Sequence, residues 1–176
     1  MAGELGKLKA QKIRTEMPRE QLEQYIANLL KTIAMCTLST SRDDVPRGTP
    51  VEYFPDGLTL YMSPDPGTKV ENIKVNSNVA VSICNTVKPD WENEWQTVWA
   101  LQVKGKGELF EDGAPEYARG MQLINFESYL RILGEDLNQH MKGRQILRVT
   151  PSEIVLFCFG LLTKGFGYRQ VWKSKT

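Results

Sequence analysis

The residues best suited to chemistry lie within one block of the sequence, residues 46–76. Ser63 ends a predicted strand, and Gly67 allows the backbone to approach a ligand closely. Thr68 and Lys69 follow at the predicted start of a helix, where free N–H groups and the helix dipole favour an anion. This pattern predicts a phosphate site, with hydroxyl donors from Ser63 and Thr68 and a positive charge from Lys69. Ordinary N-capping by Thr68 beside a solvated Lys69 is the alternative.

The run RGTPVEYF at 47–54 is a predicted strand with two features that suit a ligand. Pro50 lacks a backbone N–H, so the strand cannot be fully hydrogen-bonded there, and a flat heterocycle could use the exposed backbone groups. Arg47 can bind a phosphate through two hydrogen bonds or stack on a ring. The alternative is an edge strand with Arg47 on the surface.

The chain has a single histidine, His140. This count excludes zinc sites built on two or three histidines, and it leaves a Ser-His-Asp triad with one candidate base. His140 ends a predicted helix over 126–140, where a cation stabilises the helix C-terminus. The acidic pairs of the sequence have no spacing typical of a metal site or of two-carboxylate acid–base catalysis.

Composition excludes several classes of protein. The chain has 176 residues, with 22 Lys and Arg against 21 Asp and Glu, so the formal charge is +1. Nucleic acids and anionic membranes require a concentrated positive field, so neither is an expected partner. No apolar run approaches the roughly 18 residues of a membrane span, and the N-terminus is too polar for a signal peptide.

The cysteines indicate a reducing compartment. Cys36, Cys84 and Cys158 are an odd number, each within an apolar run, and no CxxC pair occurs. We expect three buried free thiols and a cytoplasmic location.

The hydrophobic periodicity then gives the elements that must position these residues. Helices are predicted over 18–32, 68–76, 115–124 and 126–140. Strands are predicted over 34–41, 47–54, 58–63, 78–85, 144–150 and 153–159, with the longest β-rich signal over 91–112 and a strand or extended tail over 167–173. Gly105 and Gly107 predict a bulge or bend within the long β-rich run.

These elements predict one α+β domain, mainly β, over residues 16–176, preceded by a flexible N-terminal arm over 1–15. Tight turns join the first three strands without crossover helices, so a doubly wound parallel sheet is not expected. We expect a small closed or partly closed antiparallel β-barrel flanked by helices.

The ordered series of motifs resembles a known superfamily. The strand TIAMCTLST, the hairpin VPRGTPVEY–PDG–LTLYMS and the unit GTKVENIKVNSNVAVSI follow one another, and VKGKGELF and PSEIVLF come later. This order is similar to that of the flavin-binding split-barrel superfamily, which contains pyridoxamine 5′-phosphate oxidase. The resemblance implies a six-stranded antiparallel split β-barrel of Greek-key type, a homodimer, and one flavin mononucleotide (FMN) per subunit at the dimer interface.

Carried onto this sequence, the resemblance implies three groups of cofactor-binding residues. The phosphate group comprises Arg47, Ser63, Thr68 and Lys69, with Asn72 supporting the phosphate or the ribityl chain. Gly48, Thr49, Pro50 and Val51 match the strand along the isoalloxazine ring, and Tyr61 and Met62 match the facing strand. Trp99 or Gln102 would complete the site from the partner subunit.

Two departures argue against the vitamin oxidase reaction itself. Glu52 stands near the place of a basic residue in the oxidase, and GFGYR offers Arg169 without the histidine of the oxidase's Arg-x-His signature. The sequence therefore predicts an FMN-binding oxidoreductase that acts on an unidentified small molecule, with no nucleic acid and no membrane as partner. The alternatives are a non-catalytic flavin- or haem-binding module, with His140 as axial haem ligand, and a deazaflavin-dependent reductase.

Overall fold

All eight strands belong to one antiparallel sheet in the computed structural model, which describes residues 3–85 and 90–175. The strand order is β2-β1-β5-β6-β7-β4-β3, and β8 pairs with the second half of β7. The strands are β1 Met35–Arg42, β2 Val45–Glu52, β3 Phe54–Asp56, β4 Thr59–Met62, β5 Asn78–Cys84, β6 Trp99–Phe110, β7 Ile146–Cys158 and β8 Arg169–Lys173. The helices are α1 Glu4–Ala10, α2 Arg19–Leu30, α3 Thr68–Val75, α4 Trp91–Glu94, α5 Pro115–Leu123, α6 Phe126–Leu133 and α7 Leu137–Met141.

The predicted fold class is confirmed: the sheet curls into a half-barrel with flanking helices. The count of six strands was low, because the short strand β3 extends the β4 hairpin and β8 adds to the outside of β7. The interior of the curl holds the core, in which α2 buries Leu22, Ile26 and Leu30 against the sheet. No helix in the described part of the chain is long and apolar enough to cross a membrane.

Three predicted elements differ from the structure. Residues 91–97 form α4 and a 3₁₀ turn, because the Asp90 side chain accepts a hydrogen bond from the Asn93 N–H at 3.3 Å and starts a helix. The helix predicted over 126–140 is interrupted at Gly134, whose left-handed backbone (φ 70°) separates α6 from α7. The two strands predicted around Pro151 are one strand, β7.

A bulge explains why β7 continues through a proline. The register between β6 and β7 shifts after Lys104, so no residue of β6 stands opposite Ser152. Pro151 therefore lies at a point where the ladder is already interrupted, and its missing N–H costs little. Gly105 faces it closely, since a Cβ there would stand 2.3 Å from the Thr150 carbonyl oxygen. The predicted irregularity at Gly105 is confirmed.

The N-terminal segment contains one helix and a docked stretch. Helix α1 occupies residues that the sequence assigned to an arm, and Lys9 Nζ lies 5.7 Å from the centre of the Phe159 ring. The Thr15 carbonyl accepts a hydrogen bond from the Gly167 N–H at 2.9 Å. Met1 and Ala2 of the predicted arm lie outside the described residues, and its mobility stays a prediction.

The prediction of three buried thiols is wrong for one of them. Cys36 and Cys158 are buried, but Cys84 is exposed, and all three are free. Alternate residues of β5 face outward, and Cys84 takes an outward position that the apolar run AVSIC concealed. Burial raises the pKa of Cys36 to about 12, which keeps this thiol protonated.

Tyr53 joins the two ends of the sheet. It is the one residue between β2 and β3, which lie at opposite ends of the strand order. Its N–H donates to the Ala34 carbonyl at 2.9 Å, and its hydroxyl donates to the Leu30 carbonyl at 2.9 Å. Burial raises the pKa of Tyr53, so the phenol remains a hydrogen-bond donor. The side chain is 2% exposed and fixes the connection to the end of α2.

Replacement of Tyr53 by phenylalanine tests this connection. Y53F retains the ring and leaves the buried Leu30 carbonyl without its partner, which we expect to lower the free energy of unfolding by about 1–2 kcal/mol. Urea unfolding followed by circular dichroism measures the change. Y129F is the control, because Tyr129 is 52% exposed and should change stability little. A Y53F midpoint equal to that of Y129F would contradict the assignment.

Candidate functional site

A cleft of about 590 Å³ lies where the two ends of the curled sheet face each other. The edge strand β2 contributes Thr49, Pro50 and Val51, and the end of β4 contributes Ser63. Strand β2 pairs with β1 on one side only, which agrees with the prolines at positions 46 and 50. The cleft therefore lies along a sheet edge whose backbone groups are free on one side within the described structure.

Helix α3 points its N-terminus into this region. The helix is preceded by Gly67 at φ 141°, a backbone conformation that favours glycine, and no side chain caps it. The N–H groups of Val70 and Glu71 bond to the Gly67 carbonyl, whereas those of Thr68 and Lys69 have no partner among the described residues. The alternative in which Thr68 caps the helix is thus wrong. Free N–H groups beside the Lys69 ammonium form an anion-binding geometry.

The predicted phosphate residues lie on two sides of this helix end. Ser63 and Lys69 line the cleft, while Arg47 and Thr68 line an adjoining groove of about 620 Å³ together with Asn72. The structure therefore brings the four predicted phosphate ligands to one helix terminus without enclosing them in a single cavity.

The polar atoms of the cleft fit a flat, phosphate-bearing cofactor. The Thr49 hydroxyl is buried and has no hydrogen-bond partner in the described structure. Buried polar atoms are rarely left without a partner, so this hydroxyl points to a ligand. Ser63 contacts only a sulfur atom, Met141 Sδ at 4.0 Å, which leaves its hydroxyl available. Val51, Phe54 and other apolar side chains line the rest of the cleft.

Several predicted residues lie outside the cleft. Tyr61 and Met62 are 5% and 0% exposed and pack in the core rather than lining the cleft. Gly48 pairs with Ser39 in the β1–β2 ladder. Asn72 is 4% exposed, and its amide donates to the Thr40 hydroxyl at 3.1 Å, so it holds α3 against β1.

Trp99 and Gln102 lie on β6, in the middle of the strand order and away from the cleft of the same chain. Trp99 is buried with the main core, and Gln102 is exposed opposite Ser82. Their predicted role in a partner's site stays a prediction.

Sequence reasoning missed Arg144, which lines the cleft from the segment before β7. Its side chain is 22% exposed and forms an ion pair with Asp65, 79 positions away. The pair ties this segment to the loop between β4 and α3. The basic run MKGRQ was the one available signal, but its partner is invisible in local sequence.

The helical wall of the cleft was missed as well. Phe126 and Tyr129 of α6 and His140 of α7 line it, and the imidazole lies 5.8 Å and 5.4 Å from the two aromatic rings. His140 Nδ1 lies 2.9 Å from Glu135 Oε2. The sequence placed His140 at a helix end, and the break at Gly134 is what turns it toward the cleft. Within residues 3–85 and 90–175, no three His, Cys, Asp or Glu side chains cluster as metal ligands do.

Comparison with known proteins agrees with this architecture. The family model described as pyridoxamine 5′-phosphate oxidase matches residues 22–158. A search of proteins of established function finds no match.

Solved structures share the fold at low sequence identity. General stress protein 26 from Bacillus anthracis has a TM-score of 0.56 at 23% identity, over 77% of this chain and 92% of that one. An FAD-binding protein from Mesorhizobium loti has a TM-score of 0.60 at 15% identity, over 76% and 91%. A haem-binding protein from Mycobacterium smegmatis has a TM-score of 0.64 at 12% identity, over 89% and 60%.

The hydrogen bond between Asn72 and Thr40 offers a test of how α3 is held. We expect N72A to lower the free energy of unfolding by about 1–3 kcal/mol, because the buried Thr40 hydroxyl loses its partner. T40V should have a similar effect by leaving the Asn72 amide unpaired. The double variant should lose less than the sum of the two, since both single changes break one bond. Strict additivity in urea unfolding would show that the two side chains do not interact.

Proposed function

Because the chain belongs to the pyridoxamine 5′-phosphate oxidase family, we propose that it is an FMN-binding oxidoreductase that transfers hydride or electrons to or from a small molecule. One observation carries the proposal. The Lys69 ammonium and the orphaned Thr49 hydroxyl line one cleft, and the helix that carries Lys69 begins with the unpaired N–H groups of Thr68 and Lys69.

In this proposal Lys69, Thr68, Ser63 and Arg47 hold the phosphate at the end of α3. The edge of β2 from Gly48 to Val51 lies along the flavin ring, where the Thr49 hydroxyl and free backbone groups find partners. Bound FMN supplies the hydride or electron transfer, and the protein orients the cofactor and excludes water. The Mesorhizobium relative binds FAD, whereas the predicted phosphate ligands of this chain gather at one helix terminus, that of α3, which suits the one phosphate of FMN.

Pyridoxamine phosphate is not the substrate that this cleft favours. Glu52 lines the cleft, where its carboxylate would oppose a second phosphate ester beside that of the cofactor. The tail segment offers Arg169 without a histidine beside it. We therefore propose that the substrate is a small molecule other than the vitamin phosphate. We also propose a cytoplasmic location, with which the three free thiols accord.

We propose that the active form is a homodimer with the flavin at the subunit interface. Exposed apolar side chains support this, since Met35 and Val45 on the first two strands are 52% and 66% exposed. Gln102 is exposed on the outer face of β6 and would reach the partner's flavin.

Sedimentation equilibrium should give twice the chain mass of 20.0 kDa. Q102A should remain dimeric and bind FMN about tenfold more weakly, because it would lose one hydrogen bond to the cofactor. Q122A, an exposed glutamine on α5, should match the wild type. A monomer that binds FMN at full strength would exclude the shared site.

A haem-binding module is the second candidate. His140 lines the cleft with one ring nitrogen held by Glu135, an arrangement that would suit an axial ligand, and the Mycobacterium smegmatis relative binds haem. The absorption spectrum of the purified protein separates the two candidates. Flavin bands support the leading proposal, and a Soret band that disappears in H140A supports the second.

Removal of the Lys69 charge tests the proposed phosphate site. We expect K69A to weaken FMN binding by about 10- to 100-fold, because a charge-assisted hydrogen bond is worth roughly 1.5–3 kcal/mol. Quenching of FMN fluorescence measures the affinity, with FAD as a second titrant. K74A is the matched control, since Lys74 leaves the same helix at its other end and pairs with Glu71.

K74A should bind FMN like the wild type. An unchanged affinity in K69A would move the phosphate elsewhere. A wild-type protein that is colourless and takes up neither FMN nor FAD would refute the flavin proposal as a whole.

A further inference from the structure

The helical wall of the cleft contains a carboxylate–imidazole pair that flavin binding does not use. His140 is the only histidine of the chain, and its side chain is 6% exposed. Its Nδ1 lies 2.9 Å from Glu135 Oε2, and the Glu135 side chain is 39% exposed. Glu135 thereby fixes the ring orientation and leaves Nε2, which has no partner among the described residues, for a molecule in the cleft.

Local structure holds this pair in place. Gly134 turns the chain after α6, and the Asp136 carboxylate then accepts the Gln139 N–H at 2.9 Å to start α7. The α7 segment is fastened across the cleft by Met141, which contacts Ser63. A short helix that is capped, packed and tied at both ends positions one imidazole with little freedom.

The surroundings of the imidazole suit a planar aromatic molecule. Phe126 and Tyr129 stand 5.8 Å and 5.4 Å from it, and Val51, Phe54 and Ile124 add apolar walls. Aromatic rings prefer such offset or edge contacts with another ring. Nε2 would bind an oxygen atom attached to such a ring. A neutral imidazole accepts a hydrogen bond from a phenol, and a protonated one donates a hydrogen bond to a carbonyl or phenolate oxygen.

We propose that Glu135 and His140 form the substrate subsite of the cleft, where His140 binds and protonates a carbonyl oxygen of a planar quinone-type acceptor. This inference rests on the proposed function, because the electrons come from reduced flavin. Bound reduced flavin would supply the hydride to the quinone, and His140 Nε2 would give a proton to the oxygen that gains charge. One hydride and one proton convert the quinone to its hydroquinone, and the imidazole regains its proton from solvent.

The charges that face the cleft are consistent with this role. Among the described residues, Lys69 and Arg144 are the lysine and arginine side chains that line it, and Arg144 is paired with Asp65. Within the described residues, Glu52 and Asp65 are the carboxylates of its lining, and Glu135 Oε2 lies 2.9 Å from His140 Nδ1. With Lys69 engaged by phosphate, His140 is the group best placed to supply a proton.

A single histidine makes the binding step directly observable. The nitrogen NMR signals of the imidazole need no assignment, and they can be followed in the FMN-free chain as 4-nitrophenol, a stable phenolic probe, is added. We expect the wild type to show Nδ1 hydrogen-bonded and the Nε2 signal to shift on titration. E135Q should alter the balance of the two ring tautomers. E127Q is the control, because it also removes one negative charge, from α6, and it should behave as wild type.

The proton transfer is tested by single turnover with duroquinone, which has no free ring position for the exposed Cys84 thiol to attack. Flavin reoxidation in the dithionite-reduced protein should be about 100-fold slower in H140Q, the usual contribution of a general acid, with little change in the quinone concentration at half-saturation. E135Q should fall between H140Q and the wild type, and E127Q should be unchanged.

The outcomes separate this inference from the proposed function. If the protein binds FMN but the Nε2 signal does not shift when 4-nitrophenol is added, the subsite is overturned and the flavin proposal stands. A chain whose imidazole responds but that takes up no FMN supports the binding subsite and overturns the reduction step. Equal reoxidation rates in H140Q and wild type overturn the acid role, as does a haem Soret band that vanishes in H140Q.

Discussion

The whole site depends on a one-residue connection, Tyr53, between the two ends of a curled sheet. A curled sheet must either pair its end strands or leave a split, and here β2 and β3 are consecutive in sequence yet unpaired in the strand order. With one residue between them, the edges cannot move far apart. The hydroxyl of Tyr53 fixes that residue to the end of α2, so the width of the split is set by the core and not by a loop.

Polar groups without partners are concentrated at this split. Two buried side-chain polar atoms lack a hydrogen-bond partner in the described structure, Thr49 Oγ1 and Arg148 Nε. The second has its charge balanced by Glu108 and Glu116, with the guanidinium 4.9 Å from the Phe110 ring. Thr49 has no such compensation, and the uncapped start of α3 is nearby. An orphaned hydroxyl near free helix N–H groups and the Lys69 ammonium is typical of a binding site.

The sequence predicted the elements whose signal is local. The alternation along β1 and the glycine before α3 are patterns within about ten residues. They contributed to the prediction of the fold class, which is confirmed, and of the anion site, which stays a prediction. The helical wall of α6 and α7 could not be predicted from the sequence pattern. Its periodicity is that of one continuous helix, whereas Gly134 ends α6 and Asp136 starts α7. Arg144 was missed for a different reason: its partner Asp65 is distant in sequence, and a charge pair leaves no periodic trace.

The two walls of the cleft have different physical origins, and this difference bears on what the chain recognises. Strands β2 and β4 are held by the ladder and the core, so the wall proposed to hold the cofactor has little freedom to change. The wall of α6 and α7 is attached through a few side chains, the Asp65–Arg144 pair and the Met141–Ser63 contact among them. Substitutions at the exposed positions of α6, such as Tyr129 and Ile132, can alter this wall without disturbing the core, whereas Leu130 and Met141 are buried. A rigid sheet can therefore keep one cofactor while short helices determine the small molecule that meets it.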